Sequence, residues 1–412
     1  MTALDLDLPT GFDPTDPGLR QIGITLKEFA QLRKTAPVWW VAQTPDAAAG
    51  FEDEGYWAVT RHADIAAVSK NAAEFSNSED GVIIRFAPDM TRDQVELQRV
   101  MMVNQDAPDH TKLRQIISRG FTPRAIGALA ESLRERADRI VSDALAKGSG
   151  DFVHDIAAEL PLQAIAELLG VPQEDRGKLF DWSNQMLSYD DPDVPGDPET
   201  AAAEILGYAM GLAAERKENP GDDIISKLVT ADLDGHGSLT DDEFGYFVIL
   251  LAVAGNETTR NATTHAMMAF FDNPDQWDLW VKERPDTMID EAIRWATPVS
   301  VFQRTAKNDL ELGGQQIKAG DRVALFYASG NNDEEVFENP RQFNILRDPN
   351  PHLAFGGHGA HYCIGANLAR LEIKIIFDAI ADKVPNIKQA GEASRLRHSW
   401  INGIKELPVT YA

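Results

Sequence analysis

Apolar residues recur at helical spacing over most of this chain and at strand spacing only in short stretches. Residues 123–187 read as helix after helix, with breaks expected at Leu160-Pro161 and Gly170-Val171-Pro172. After a connection rich in Pro and Asp at 190–198, helical patterns return at 201–217 and 222–229. The acids of Leu239-Thr240-Asp241-Asp242-Glu243 mark a helix start. The helix launched there can run to about Phe271, roughly 48 Å at 1.5 Å per residue, so it must cross the centre of the molecule. Further helices are expected from Thr25, from His62, over 285–295 and over 366–377. Aromatic and β-branched runs at 37–41 and 56–60 predict a hairpin-like pair, and short strands follow at 299–305, 310–312 and 322–326. The pattern is that of a mainly α fold with a small β region. It holds no repeat of fixed period.

Three places break the pattern in ways that packing explains poorly. The middle of the long helix carries Ala254-Gly255-Asn256-Glu257-Thr258-Thr259-Arg260, where Gly255 weakens the helix and an acid and an alcohol follow. Polar groups at the centre of an apolar helix are costly unless used, which favours chemistry here. Ala254 and Thr258 lie one turn apart on one face. The second place, residues 355–365, has four glycines in eleven residues and cannot be a regular element. It holds Cys363, the one cysteine of 412 residues, at the start of a helix whose dipole and free N–H groups favour an anionic sulfur. A lone cysteine is usually a small buried hydrophobe, but a glycine-rich loop with two histidines suits that poorly. The third is 77–90, where Val82, Ile83, Ile84 and Phe86 sit among turn residues, as loop packing or as a pocket wall. Two other pairs are ordinary when taken alone. His110 and Arg114 share the face of a helix opened by Pro108, and Glu291 and Arg294 are spaced to pair.

Composition narrows the classes. Length allows two or three domains, and a single large helical domain over 1–412 is the expectation. Lys and Arg number 39 against 65 Asp and Glu, a net charge of −26 that argues against nucleic acid as a partner. One cysteine excludes an internal disulfide framework and fits a reducing cytoplasm. The first residues carry no signal-peptide pattern, and the longest membrane-like run, 244–254, is well short of the roughly 20 residues of a spanning helix.

Four separated pieces resemble one family in order and spacing: Ala254-Gly-x-Glu257-Thr258, Glu291-x-x-Arg294, Phe343-x-x-x-Arg347 and Gly359-x-His361-x-Cys363-x-Gly365. Together they resemble the cytochrome P450 haem-thiolate monooxygenases over most of the chain. The family's usual loop has its phenylalanine seven residues before the cysteine, whereas Phe355 is eight before Cys363, one glycine being inserted. The resemblance implies haem b (iron protoporphyrin IX) with Cys363 as axial ligand, and dioxygen as co-substrate. It implies a cofactor pocket including Ala254, Gly255, Phe355, Gly356 and Gly365, with His110, Arg114, Arg304 and His361 on the propionates. Glu257 and Thr258 become the acid–alcohol pair that passes protons toward oxygen. Glu291, Arg294 and Arg347 become a buried structural network.

Closer similarity at 81–86, 160–166, 252–261 and 355–370 looks like the actinobacterial steroid C26-monooxygenases, a group that shares the inserted glycine. That implies terminal side-chain oxidation of cholesterol or cholest-4-en-3-one in an apolar funnel. Val82, Ile83, Phe86, Val253, Val299, Phe302 and Trp400 are candidates for its wall, each with core packing as the plain alternative. Without a flavin or iron–sulfur motif, electrons are expected from a ferredoxin and ferredoxin reductase, with NAD(P)H used only through them. Lys112, Arg124 and Lys374 are candidates for the docking patch. The alternatives are a branched-chain lipid or fatty-acid omega-hydroxylase, a peroxygenase of the same fold that would not need Glu257 and Thr258, and a non-catalytic haem-thiolate sensor or steroid carrier.

Overall fold

Thr240 caps a helix of 32 residues, Asp241–Asp272, that sets the layout of the rest. The Thr240 hydroxyl accepts from Glu243 N at 3.2 Å, and a Glu243 carboxylate oxygen accepts from Thr240 N at 2.8 Å. This reciprocal cap satisfies two N–H groups that would otherwise lack partners. The computed structural model describes residues 8–187, 189–194, 196–221, 226, 229 and 239–411. The pattern at 222–229 therefore lies largely outside the described residues.

Helices Glu159–Leu169, Arg176–Met186, Pro198–Glu218, Thr287–Ala296 and Ala366–Lys383 all pack on the central helix. Gly255 does not break it. A Cβ at that position would stand 2.3 Å from Ile165 Cδ1, so the glycine admits the Glu159–Leu169 helix at close range. The expected break at Leu160-Pro161 is corrected: Pro161 lies in the first turn of that helix, where a missing N–H costs nothing. The interruption comes earlier, at Gly148, the strand Ser149–Asp151 and a turn of π-helix at Val153–Ala157. Gly170 does end a helix, at φ +69°.

The largest sheet runs in the order Val38–Ala42, Gly55–Val59, Arg322–Leu325, Phe302–Ala306, Phe75–Ser76. The expected hairpin is its first pair, with Val38 opposite Val59. Buried Arg322 meets both Asp53 oxygens at 2.6 Å and donates to Ile84 O at 3.2 Å. Gln303 N donates to Val82 O at 2.8 Å, and Val82 N to Asn104 Oδ1 at 3.0 Å. Those bonds hold the irregular 82–86 segment against the sheet.

A second buried network fixes the other side. Arg294 grips Glu291 through two bonds of 2.7 and 2.8 Å and donates to Asn331 O and Pro340 O. Arg347 Nε reaches the same carboxylate at 3.0 Å, and Asn344 N donates to it at 3.0 Å. One carboxylate thus ties the Thr287–Ala296 helix to the irregular chain leading to the glycine loop. Next to it, Asp290 accepts from Arg370 Nε at 2.8 Å and contacts His352 Nε2 at 3.1 Å. Burial opposes its ionisation, but these two partners hold Asp290 down to about 2. Among the described residues no helix is long and apolar enough to cross a membrane.

Candidate active site

The glycine loop is shaped by what it packs against. A Cβ on Gly359 would lie 1.7 Å from Ser69 O, and one on Gly357 would lie 2.2 Å from Ser69 Oγ. Only bare backbone can approach helix His62–Lys70 so closely. Gly356 takes φ +84°, a left-handed turn. The chain then doubles back so that Cys363 N donates to Phe355 O at 2.9 Å. The Phe355 ring lies 4.7 Å from the Arg370 guanidinium, which links the loop to Asp290. Helix Ala366–Lys383 begins three residues after Cys363.

Cys363 faces a cavity of about 1490 Å³ between this loop and the central helix. Its accessible surface is cavity wall, since protein surrounds the sulfur on its other sides. Burial therefore pushes the thiol up, and the N–H groups of Gly365 and Ala366, with Arg114 and Arg370, pull it back only in part. The helix terminus and the two arginines favour an anionic sulfur, and burial opposes it. A coordinated metal cation deprotonates such a thiol outright.

The rings of His110 and His361 meet with centroids 3.9 Å apart and planes tilted by 31°, flanked by Arg114 and Arg304, and all four line the cavity. Burial and the neighbouring cations lower His110 to about 4 and His361 to about 2, so both imidazoles are neutral at physiological pH. His110 Nε2 is buried without a partner. Arg114 donates to Tyr362 O and Arg304 to Gln303 O.

On the central helix Ala254 and Thr258 face the cavity, and the Thr258 hydroxyl donates to Ala254 O at 2.6 Å. Glu257 does not line it. Its carboxylate turns away to Arg260, which also donates to Asn184 Oδ1 at 2.9 Å. Burial raises Glu257 against the pull of Arg260, and its Oε1 has no partner.

Of the residues singled out from sequence, Gly255, Phe355, Gly356, His361 and Gly365 also line this cavity, as do Val82, Ile83, Phe86, Val253, Val299, Phe302 and Trp400. Glu291, Arg294 and Arg347 lie outside it. Sequence reasoning passed over Glu372, a buried cavity-lining carboxyl with Oε1 unpartnered, pushed by burial up to about 8. Its signal was an acid on the apolar face between Leu368 and Ile376.

A lone cysteine loop, an acid–alcohol helix centre and a shared cavity now stand in one arrangement, and the comparisons agree with it. The cytochrome P450 family profile matches residues 285–381. The chain is 60% identical over 405 residues to a steroid C26-monooxygenase of Rhodococcus jostii (strain RHA1), covering 98% of this chain and 86% of that one. The chain belongs to the cytochrome P450 family. A methyl-branched lipid omega-hydroxylase of Mycobacterium tuberculosis (strain ATCC 25618 / H37Rv) is 41% identical over 93% of this chain and 90% of its own. A Mycobacterium marinum cytochrome P450 solved with pseudoionone superposes with a TM-score of 0.87 at 38% identity, covering 93% of this chain and 94% of that one. Membership makes this P450 a monooxygenase that uses haem iron, dioxygen and reductant delivered through redox partners. The cavity fits such a group: a thiol on one wall can take iron, while two guanidiniums and two neutral imidazoles, one with an orphaned nitrogen, suit two carboxylates.

Proposed function

We propose that this P450 hydroxylates the terminal side-chain methyl (C26/C27) of cholesterol or cholest-4-en-3-one, and carries the product on toward the acid. The substrate rests on one observation: 60% identity to a steroid C26-monooxygenase spread over 98% of the chain, against 41% to the lipid omega-hydroxylase. An apolar-walled cavity that includes Thr258 and Cys363 supports it.

Haem b, when bound, supplies the redox centre that activates dioxygen, with electrons from a ferredoxin and ferredoxin reductase. Cys363 would hold the iron, and His110, Arg114, Arg304 and His361 would hold the propionates. Ala254 leaves space beside the Thr258 hydroxyl, which can give its proton into the cavity once it releases Ala254 O. Glu257, whose carboxylate is held by Arg260, would resupply that hydroxyl by turning from Arg260 toward the cavity. Val82, Ile83, Phe86, Val253, Val299, Phe302 and Trp400 shape the apolar wall. Arg124 is exposed, whereas Lys374 is already shared between Asp286 at 3.6 Å and Asp378 at 3.3 Å. Within the suggested docking patch, Arg124 and Lys112 are therefore the freer charges for a ferredoxin.

A panel of sterols, branched fatty acids and terpenes scored for a low- to high-spin haem shift, followed by product analysis, tests the assignment. Cholest-4-en-3-one is expected to shift the spin state and to yield C26-oxidised product coupled to reductant consumption. A shift with branched fatty acids and none with cholestenone would make the protein a lipid omega-hydroxylase. A shift without product would make it a binding protein.

A further inference from the structure

One stretch of the cavity wall is not apolar. Arg85, Tyr189, Asp190 and Arg397 line it together. Tyr189 Oη accepts from Trp400 Nε1 at 2.8 Å, and its hydroxyl points to Arg85 O at 3.4 Å. Arg397 N donates to Asp191 Oδ2 at 3.0 Å, and Ser399 N to Asp190 Oδ2 at 2.9 Å. The cluster is tied to the N-terminal segment, through Arg20 Nε to His398 O at 3.1 Å and Arg85 to Asp13 at 3.7 Å. None of these residues belongs to the wall formed by His110, Arg114, Arg304 and His361.

Arg85 and Arg397 both act on Asp190, a carboxyl that burial pushes up. The 3.7 Å approach of Arg85 to Asp13 is too long for a hydrogen bond, and Arg397 Nε is buried with no partner at all. A buried donor without an acceptor is costly, and Arg397 and Arg85 line the cavity where a ligand can bring one.

We propose that Arg397, assisted by Arg85, binds the oxygen at C3 of the sterol ring system. This rests on the sterol reading above and adds a subsite to it. The sterol rings are rigid, with the C3 oxygen at one end and the side chain at the other. Anchoring that oxygen therefore aims the terminal methyl at Thr258 and Cys363. A ketone oxygen has lone pairs and no proton, which matches a guanidinium that only donates. The aromatic face of Trp400, joined to the cluster by Tyr189, packs the adjoining apolar surface.

Binding of cholest-4-en-3-one and of cholest-4-ene, which lacks the oxygen, to the holoenzyme tests this, read by haem spin shift and by tryptophan quenching. A hydrogen bond to a charged donor predicts that the wild type prefers the ketone by about tenfold to a hundredfold. Arg397→Met should bring the two affinities together by weakening the ketone and leaving cholest-4-ene unchanged. It should also spread oxidation away from the terminal methyl. Equal affinities in the wild type would overturn the subsite and leave the sterol reading intact, and this holds whether or not any variant folds. A full ketone preference in both Arg397→Met and Arg85→Met would also overturn it. Failure of both sterols to bind the wild type would remove the sterol reading and the subsite together.

Discussion

Glu372 keeps its proton because burial outweighs the one hydrogen bond, from Thr259, that favours its charged form. Burial raises it from the ordinary 4.5 to about 8, while the chain has released that proton when unfolded. The folded state therefore binds more protons between those values, and stability must fall as pH rises through that window and level off above it. Glu372→Gln should flatten this dependence and gain stability over the wild type at pH 9 relative to pH 6, measured by denaturant unfolding. Parallel stability curves for the two proteins would contradict the assignment. Cys363 was legible because glycines mark a loop that must approach other backbone, and the contact with Ser69 shows what is approached. Glu257 was legible as a buried acid, but its direction was not. Neighbours on a helix point about 100° apart, and the residue on the face of Glu257 is Arg260, three positions on. Arg397 was invisible, since nothing local distinguishes a cavity arginine from a surface one.

Elements were readable where capping and periodicity agree, as at Thr240, Gly170 and the 38–59 hairpin. They were misread where one residue has two meanings. Pro161 signals a break in mid-helix and a start in a first turn, and the neighbouring residues do not say which. By spacing alone the Glu291–Arg294 pair was ordinary, and only the family resemblance implied a buried network; both side chains are fully buried. Removing one partner of such a pair leaves a charge without solvent. Arg294→Met should therefore destabilise the protein by about 3–5 kcal/mol, checked by chemical denaturation. A loss below about 1 kcal/mol, the range of exposed pairs, would show that the network contributes little. Arg347 shares the carboxylate, so its effect should not add to that of Arg294.

At the scale of the molecule, the central helix and the glycine loop enclose one large cavity, and nearly every residue chosen for chemistry lines it. That convergence could be anticipated only in part. Periodicity predicts that a helix this long crosses the centre, but not which loops close over it. The 82–86 segment reaches the cavity because Gln303 and Arg322 fasten its backbone to strands Phe302–Ala306 and Arg322–Leu325, more than two hundred residues away. The polar stretch around Asp190 and Arg397 likewise joins segments far apart in sequence. The acidic surface, at −26, leaves any partner docking to a local patch. The account depends most on Cys363 as the thiolate that holds haem iron. The ferrous–carbonyl absorption spectrum of a Cys363→Ser variant, compared with the wild type at equal haem content, tests this directly. The thiolate-type band should be present in the wild type and absent in the variant, while a variant that keeps the band would contradict the assignment.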